Sequence, residues 1–371
     1  MALRCVSGAF RFVQVPLTMQ FHALRIADLV RETADCVSLA FDIPAALQAA
    51  FAFRPGQYLT LRTHRDGEEL RRAYSICAGL DDGEIRVAIK RADPGGFSEW
   101  ANTALRAGDV IDVMPPDGGF GLAPEPTARR TVLGVAAGSG ITPILSIIKS
   151  VLAREPESQV ILLYGSRSTA DIIFRAALED LKDRYIDRFT LIHVLSREAQ
   201  DIGVLNGRID ADKLAALLPG LASAGDIDAA FLCGPAEMLD VLPGALLAWG
   251  VPEARIHTER FTPSGPRRAA VVVAADAPAF AIATIIHDGQ TKIVPVAAGE
   301  AVLDAALRAG MDLPWSCRGG MCSTCRARVV LGAVEMAENF SLEKWETDAG
   351  YVLSCQAHPV SREITLDYDH V

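Results

Sequence analysis

The sequence predicts three units in series: a small antiparallel β-barrel, a doubly wound α/β sheet and a shorter α+β unit. Three observations carry this. The chain has 371 residues, half of them hydrophobic and 22% charged, which exceeds one ordinary domain and supplies apolar material for several cores. The hydrophobic pattern changes period twice, once after Pro124 and Pro126 and again at Thr262–Arg268. Four of the eight cysteines fall late in the chain, and three of those are bunched. The same composition excludes a disordered chain. No run approaches ~18 uncharged apolar residues, so no membrane-spanning helix is expected. A formal net charge of -10 and a pI of about 5.3 argue against a nucleic-acid partner and suit docking onto a basic protein surface.

Residues 1–17 are expected to form a tail. They hold Arg4 and Arg11 but no apolar core long enough for a signal peptide. Their lack of acidic residues leaves an organellar transit signal as the alternative. The scattered Cys5, Cys36, Cys77 and Cys233 do not read as a secreted disulfide scaffold, so a reducing cytoplasm is the expected compartment.

Residues 18–124 read as the barrel. Val37–Phe41, Tyr58–Arg62 and Ile85–Lys90 alternate in polarity like half-buried strands, and Ala107–Val113 reads as a late strand after a tight turn. Arg54-Pro-Gly56, Asp81-Asp-Gly83 and Pro94-Gly-Gly96 are turn signals between them. Residues 127–261 read as the α/β sheet. The apolar runs Thr131–Ala137, Gln159–Tyr164, Phe189–Leu195 and Ala229–Cys233 alternate with helical stretches at Pro143–Arg154, Asp171–Lys182, Ala211–Leu218 and Ala236–Trp249. Residues 262–280 read as a linker, because two prolines, a glycine and paired arginines admit no regular element. Residues 281–371 form the last unit, with strands expected at Ala281–His287 and Gln290–Pro295 and a helix at Ala301–Ala309.

The strongest chemical signal is Cys317-Arg-Gly-Gly-Met-Cys322-Ser-Thr-Cys325 followed by Cys355. This C-x4-C-x2-C…C spacing is that of plant-type [2Fe–2S] ferredoxins. One loop must wrap three thiolates around a compact cluster, and Gly319 and Gly320 are expected to supply the unusual dihedrals. Structural zinc usually shows two C-x2-C pairs, and a Rieske centre needs two histidines that this loop lacks. Arg318, Arg326 and Arg328 flank the loop and either tune the cluster or are ordinary surface charges.

A second signal is Gly134-Val-Ala-Ala-Gly138-Ser-Gly140-Ile-Thr142-Pro143, a glycine-rich turn from strand to helix. Such a turn offers backbone N–H groups to a pyrophosphate, and Pro143 suits the first helical position. The next strand ends in Ser166-Arg167 where an NAD site would carry an acid. Arginine suits a 2′-phosphate, so NADPH is favoured, with NADH as the alternative. Arg72-Ala-Tyr74-Ser75 is a third signal: an arginine that can clamp a phosphate, a ring that can cover an isoalloxazine, and a hydroxyl that can reach its edge. It is expected just after a strand. Gly95–Ser98 offers further N–H groups.

The order R-x-Y-S, G-S-G-I-T-P, then Cys233-Gly-Pro235 resembles the ferredoxin–NADP reductase family over about residues 53–261, and residues 281–371 resemble a β-grasp plant-type ferredoxin. Reductase first and ferredoxin last resembles the reductase components of bacterial multicomponent oxygenases. Within that class, Val334-Glu-Met336, Asn339, Leu342-Glu343, Gly350–Gln356 and Asp367-Tyr-Asp369 resemble the reductase subunits of phenylacetyl-CoA epoxidases, and steroid-ring hydroxylase reductases share part of this tail.

The resemblance implies an FAD-binding barrel, an NAD(P)-binding sheet and a [2Fe–2S] domain with Cys317, Cys322, Cys325 and Cys355 as ligands. It implies that Phe53–Leu59 precedes the flavin strand, that Arg72, Tyr74 and Ser75 hold FAD, and that Ile89, Lys90, Gly96 and Ser98 line its phosphates. Gly138, Gly140 and Thr142 would face the nucleotide, with Ser166 and Arg167 at its ribose. Cys233, Gly234 and Pro235 would lie beside the nicotinamide, although Cys233 reads equally as a buried thiol. Glu259 and Phe261 would close over the flavin, so Ser75, Cys233 and Glu259 are the expected catalytic residues. NADPH delivers two electrons at once and the cluster accepts one, which requires the flavin between them. The implied partner is a di-iron oxygenase that epoxidises phenylacetyl-CoA in aerobic phenylacetate degradation, with another ring hydroxylase as the alternative. A stand-alone NADPH oxidase or ferric reductase would not need the cysteines. Twelve Asp and Glu against seven Lys and Arg in residues 281–371, a net of −5, fit a docking role for the last unit.

Overall fold

The computed structural model describes residues 20–65, 67–92, 96–261, 273 and 278–370. The expected tail, most of the expected linker and the Pro94–Gly95 part of one turn lie outside them.

The first unit holds six strands: β1 (His22–Thr33), β2 (Cys36–Asp42), β3 (Tyr58–Arg65), β4 (Glu68–Ser75), β5 (Ile85–Lys90) and β6 (Val110–Val113), with helix α1 (Phe97–Thr103) before β6. They pair antiparallel in the order β4-β3-β6-β1-β2-β5. A bridge from Ile76, just beyond β4, to Val87 of β5 brings the two edges together into a barrel. Leu24, Leu39, Leu59, Leu61, Val87 and Phe97 fill its interior. One expectation is corrected. Arg72–Ser75 is the end of β4 itself, not a segment after a strand. Residues 97–103 form a helix to which the sequence reading assigned no element.

The second unit holds β7 (Thr131–Ala137), α2 (Ile141–Arg154), β8 (Gln159–Ser166), α3 (Arg175–Arg184), β9 (Phe189–Leu195), α4 (Ala211–Leu217), β10 (Ile227–Gly234), α5 (Ala236–Trp249) and β11 (Ile256–Arg260). All its strand pairs are parallel, in the order β11-β10-β7-β8-β9. The order reverses between β7 and β10, which opens a crevice at their carboxyl ends. Helix α2 starts at Ile141, so Pro143 is its third residue and not its first. The single 3-10 turn Gly138–Gly140 has already turned the chain into the helix. Cores lie on both faces of the sheet. One of them runs into the barrel, taking in Cys36, Cys77 and Ala88. Ser146 Oγ of α2 also donates to the Ala78 carbonyl at 2.6 Å.

The third unit holds β12 (Ala279–His287), β13 (Gln290–Ala297), α6 (Val302–Arg308), β14 (Arg326–Leu331), β15 (Val334–Met336), α7 (Lys344–Asp348), β16 (Tyr351–Leu353), β17 (Ala357–Pro359) and β18 (Glu363–Asp367). A mixed five-stranded sheet runs β13-β12-β18-β14-β16, with β12 and β18 parallel. Helix α6 packs on it through Val302, Leu303 and Ala306. Strand β12 begins at Ala279, inside the stretch expected to be linker.

Candidate flavin, nucleotide and iron–sulfur sites

The antiparallel register of β3 and β4 sets Tyr58 opposite Ser75 and Leu59 opposite Tyr74. Side chains alternate along a strand, so Arg72 and Tyr74 share one face and Arg71 and Ser75 the other. Tyr74 lies 5.7 Å from the Phe97 ring, and Arg72 donates to the Arg71 carbonyl at 2.9 Å. Ser75 Oγ donates to Glu259 Oε2 at 3.4 Å across 184 residues. Glu259 stands beside Cys233 in the β10–β11 register. Three residues from distant segments thus meet at one point. Desolvation raises the Glu259 carboxyl from its ordinary 4.5 to about 8, against the Ser75 hydrogen bond that lowers it. Burial, with a contribution from Glu259, holds the Cys233 thiol well above its usual range. Near neutrality both groups keep their protons. Thr60 Oγ1, buried on the face of β3 that carries Tyr58, has no hydrogen-bond partner among the described residues.

Around the phosphate positions the placement is mixed. Ile89 puts its side chain in the barrel core and its carbonyl accepts from Asn102 at 2.9 Å. Ser98 Oγ accepts from the Ala92 amide at 3.1 Å. Gly96 directly precedes α1. Lys90 reaches across to the second unit: a methyl on Gly138 would lie 3.5 Å from its Nζ.

A groove of about 740 Å³ opens at the reversal of strand order. Gly138 takes φ +56, a conformation that favours glycine, and its carbonyl accepts from the Tyr164 hydroxyl at 3.0 Å. Gly140 is needed for space instead, since a Cβ there would lie 2.1 Å from the Cys233 carbonyl oxygen. Thr142 is buried, and its Oγ1 donates to the Ser139 carbonyl at 3.0 Å. Gly234, Pro235 and Phe261 line the groove as well. Arg167 lines it too, but donates to Asp35 at 2.7 Å and to Asp171. The Arg167 Nε is buried without a partner among the described residues.

The sequence reading missed Ser196, Arg197 and Arg208, which also face the groove. The backbone amides of Ser196 and Arg197 donate to the carbonyls of Ser166 and Arg167 at 3.0 and 2.7 Å. The two Ser-Arg pairs therefore sit side by side. The signal was available, because every strand of a parallel sheet delivers its carboxyl end to one edge.

The four late cysteines converge. Cys317 Sγ accepts from the Gly319 and Cys322 amides at 3.4 and 3.3 Å and lies 3.2 Å from Cys322 Sγ. The Cys322 thiol, then the amides of Gly319, Cys322 and Met321, hold the Cys317 thiol below its usual range. Cys325 is pushed up, first by its hydrogen bond to Cys355 and then by burial. Ser354 Oγ donates to the Cys325 carbonyl at 2.9 Å, tying the separate turn of Cys355 to the loop. Three buried sulfurs and the half-buried one of Cys317 cannot all ionise at this spacing without cations among them, and a di-iron centre would supply them. The donor set and the N–H groups aimed at sulfur fit that centre. One expectation is corrected: Gly320 has φ +75, but the other left-handed residue of the loop is Arg318, at φ +52, and not Gly319.

The chain matches three family descriptions in order: an oxidoreductase FAD-binding domain over 23–121, an oxidoreductase NAD-binding domain over 135–242 and a 2Fe-2S iron-sulfur cluster binding domain over 285–360. It is 47% identical to a subunit of the 1,2-phenylacetyl-CoA epoxidase of Escherichia coli, over 94% of this chain and 98% of that one. It is 33% identical to the ferredoxin reductase component of 3-ketosteroid-9-alpha-monooxygenase of Rhodococcus rhodochrous, over 96% and 99% of the two chains. Its fold is that of phthalate dioxygenase reductase, with a TM-score of 0.56 and 22% identity over 94% and 98% of the chains. Fold and sites together define an oxidoreductase that passes electrons from NAD(P)H through FAD to a [2Fe–2S] centre. The chain belongs to the family of oxygenase reductase components, and its electrons go to an oxygenase. No helix among the described residues is long and apolar enough to cross a membrane.

Proposed function

We propose that the oxygenase served by this chain is a di-iron epoxidase acting on phenylacetyl-CoA, in the cytoplasm. The observation that carries the reading is the 47% identity to the epoxidase component along nearly all of both chains, against 33% for the steroid system. The thioester would bind to the oxygenase and not to this chain.

In the same reading residues 18–124 hold FAD, 127–261 the nicotinamide nucleotide and 281–371 the cluster, joined by 262–280. FAD supplies the exchange between a hydride, which carries two electrons, and the single electrons that the cluster accepts. The Arg72 guanidinium clamps a phosphate, while the Tyr74 ring, braced by Phe97, covers one face of the isoalloxazine. Glu259 keeps a proton and shares it with Ser75 at the flavin edge. The amides of Gly138–Gly140, with Lys90 beside them, receive the nucleotide phosphates. Arg167 and Arg197 receive a 2′-phosphate, which favours NADPH over NADH. Protonated Cys233 packs beside the nicotinamide without charging it, and Phe261 covers the mouth of the groove. Cys317, Cys322, Cys325 and Cys355 ligate the irons.

The test is reconstitution. Mixed with the purified oxygenase of a phenylacetyl-CoA epoxidase, the chain should couple NADPH oxidation to epoxidation of phenylacetyl-CoA. With a 3-ketosteroid oxygenase the rate should be lower by roughly tenfold or more, a difference of about 1.4 kcal/mol. Equal or faster turnover with the steroid enzyme would overturn the assignment.

A further inference from the structure

We propose that the outer face of the β3–β4 hairpin is the dock that fixes the iron–sulfur unit to the flavin barrel, with Tyr58 and Arg71 as its positioning residues. This rests on the flavin and cluster sites assigned above.

The face is anomalous for the outside of a barrel. Tyr58, Thr60, Arg71 and Ser75 are polar and lie outside the apolar core, yet they are only 5%, 1%, 3% and 3% exposed. The third unit covers Tyr58 and Arg71, while Ser75 meets Glu259 of the second unit. Tyr58 donates its hydroxyl proton to Asp117 Oδ2 at 2.8 Å. Its oxygen lies 2.9 Å from Thr324 Oγ1 and 3.3 Å from Ser323 Oγ. The carboxylate takes the only proton Tyr58 can give, so the Thr324 hydroxyl is the donor to Tyr58. Ser323 and Thr324 are the two residues between Cys322 and Cys325. Tyr58 is also the register partner of Ser75. One residue therefore stands a strand pairing away from the flavin site and a hydrogen bond away from the ligand loop.

Arg71 makes the second anchor. Its guanidinium donates to the Leu313 carbonyl at 3.3 Å, to Asp312 at 3.2 Å and to Glu69 at 2.7 Å. It lies 4.9 Å from the centre of the Phe21 ring and 4.6 Å from that of Trp315. Trp315 is two residues before Cys317. A buried guanidinium is costly unless paired on every side, and most of these partners belong to the third unit. Within the barrel Arg71 has Glu69 and the Phe21 ring, and the rest of its guanidinium is satisfied by the third unit. Electron passage falls steeply with through-space gaps, so a bonded seam between the two sites sets its rate.

The experiment uses the full chain loaded with flavin and iron, comparing Tyr58→Phe, Thr324→Val, the double variant and Thr324→Ser. Stopped-flow mixing with NADPH follows bleaching of the iron–sulfur bands, and NADPH-to-ferricyanide turnover reports the flavin side. Hydrogen exchange of residues 313–325 in the resting protein adds a readout independent of turnover. Expected are bleaching slowed at least ~10-fold in both single variants, faster exchange of the loop, and a double variant no slower than either single, the signature of one shared contact. Thr324→Ser, which keeps the hydroxyl, should follow the parent, and ferricyanide turnover should stay within about twofold throughout. Parental bleaching and exchange in Tyr58→Phe, or a double variant as slow as the product of the singles, overturns the dock. A parent with neither flavin nor iron bands overturns the cofactor sites instead.

Discussion

Glu259 gives the sharpest expectation at the scale of a single residue. Its folded carboxyl is raised to about 8 from an ordinary 4.5, so the folded chain holds a proton that the unfolded chain releases. The stability this provides is complete below about 4.5 and is lost as pH rises to about 8. In Glu259→Gln that loss is absent: the parent's thermal midpoint should fall more than the variant's between pH of about 4.5 and pH of about 8. Ferricyanide turnover in the parent should also decline through pH of about 8 and stay flat in the variant. Parallel profiles for both proteins would remove the proton-holding role. This residue was legible only through family resemblance, because a lone Glu in His257-Thr-Glu-Arg260 carries no pattern of its own. The cysteines needed no such help, since their spacing is itself the chemistry. Ser323 and Thr324 were in plain view within that motif, but their partner Tyr58 is more than 260 residues away and no local period connects them.

At the scale of the element, the strands of the α/β sheet were readable because parallel strands are buried on both faces and show as continuous apolar runs. The predicted range of β7 coincides with the observed one, and that of β9 does too. Strand β1 escaped because its twelve residues include two register shifts that break the alternation. Strand β4, Glu68-Glu-Leu-Arg-Arg-Ala-Tyr-Ser75, reads as surface because its polar outer face is covered by another unit. Strands β15, β16 and β17 have three residues each, too few for any period to declare itself. The turn between β7 and α2 has a testable requirement. Gly140→Ala would push a methyl to 2.1 Å from the Cys233 carbonyl. Overpacking of this kind costs about 1–3 kcal/mol, so KM for NADPH should rise roughly tenfold or more. An unchanged KM in steady-state ferricyanide assays would mean that the crevice does not receive the nucleotide.

At the scale of the molecule, the three units are joined by two different kinds of boundary. Barrel and α/β sheet share an apolar core and hydrogen bonds with α2, one donated by Ser146 and one accepted by Ser150. The third unit keeps a core of its own and meets the barrel through hydroxyls, a guanidinium and aromatic rings. Calorimetry should therefore show two transitions, the barrel and the sheet melting together and the iron–sulfur unit apart. Removing iron should lower only the transition of the last unit, because bound metal stabilises the folded loop that holds it. A single transition that moves as a whole would show the three to be one cooperative body. The acidic charge of the third unit was visible in the sequence, but the division of boundaries was not, since it depends on which faces meet.

Arg318 bends left-handed at φ +52, a shape that a residue with a side chain adopts at about 1–2 kcal/mol. Its guanidinium is moored to Asp304 on α6 and lies 4.9 Å from the centre of the Trp315 ring. The helix contributes no sulfur, yet it works as a guy rope on the loop that does. Asp304→Ala should slacken that rope and let iron dialyse out faster than from the parent, and equal retention would show that the sulfurs keep their grip unaided.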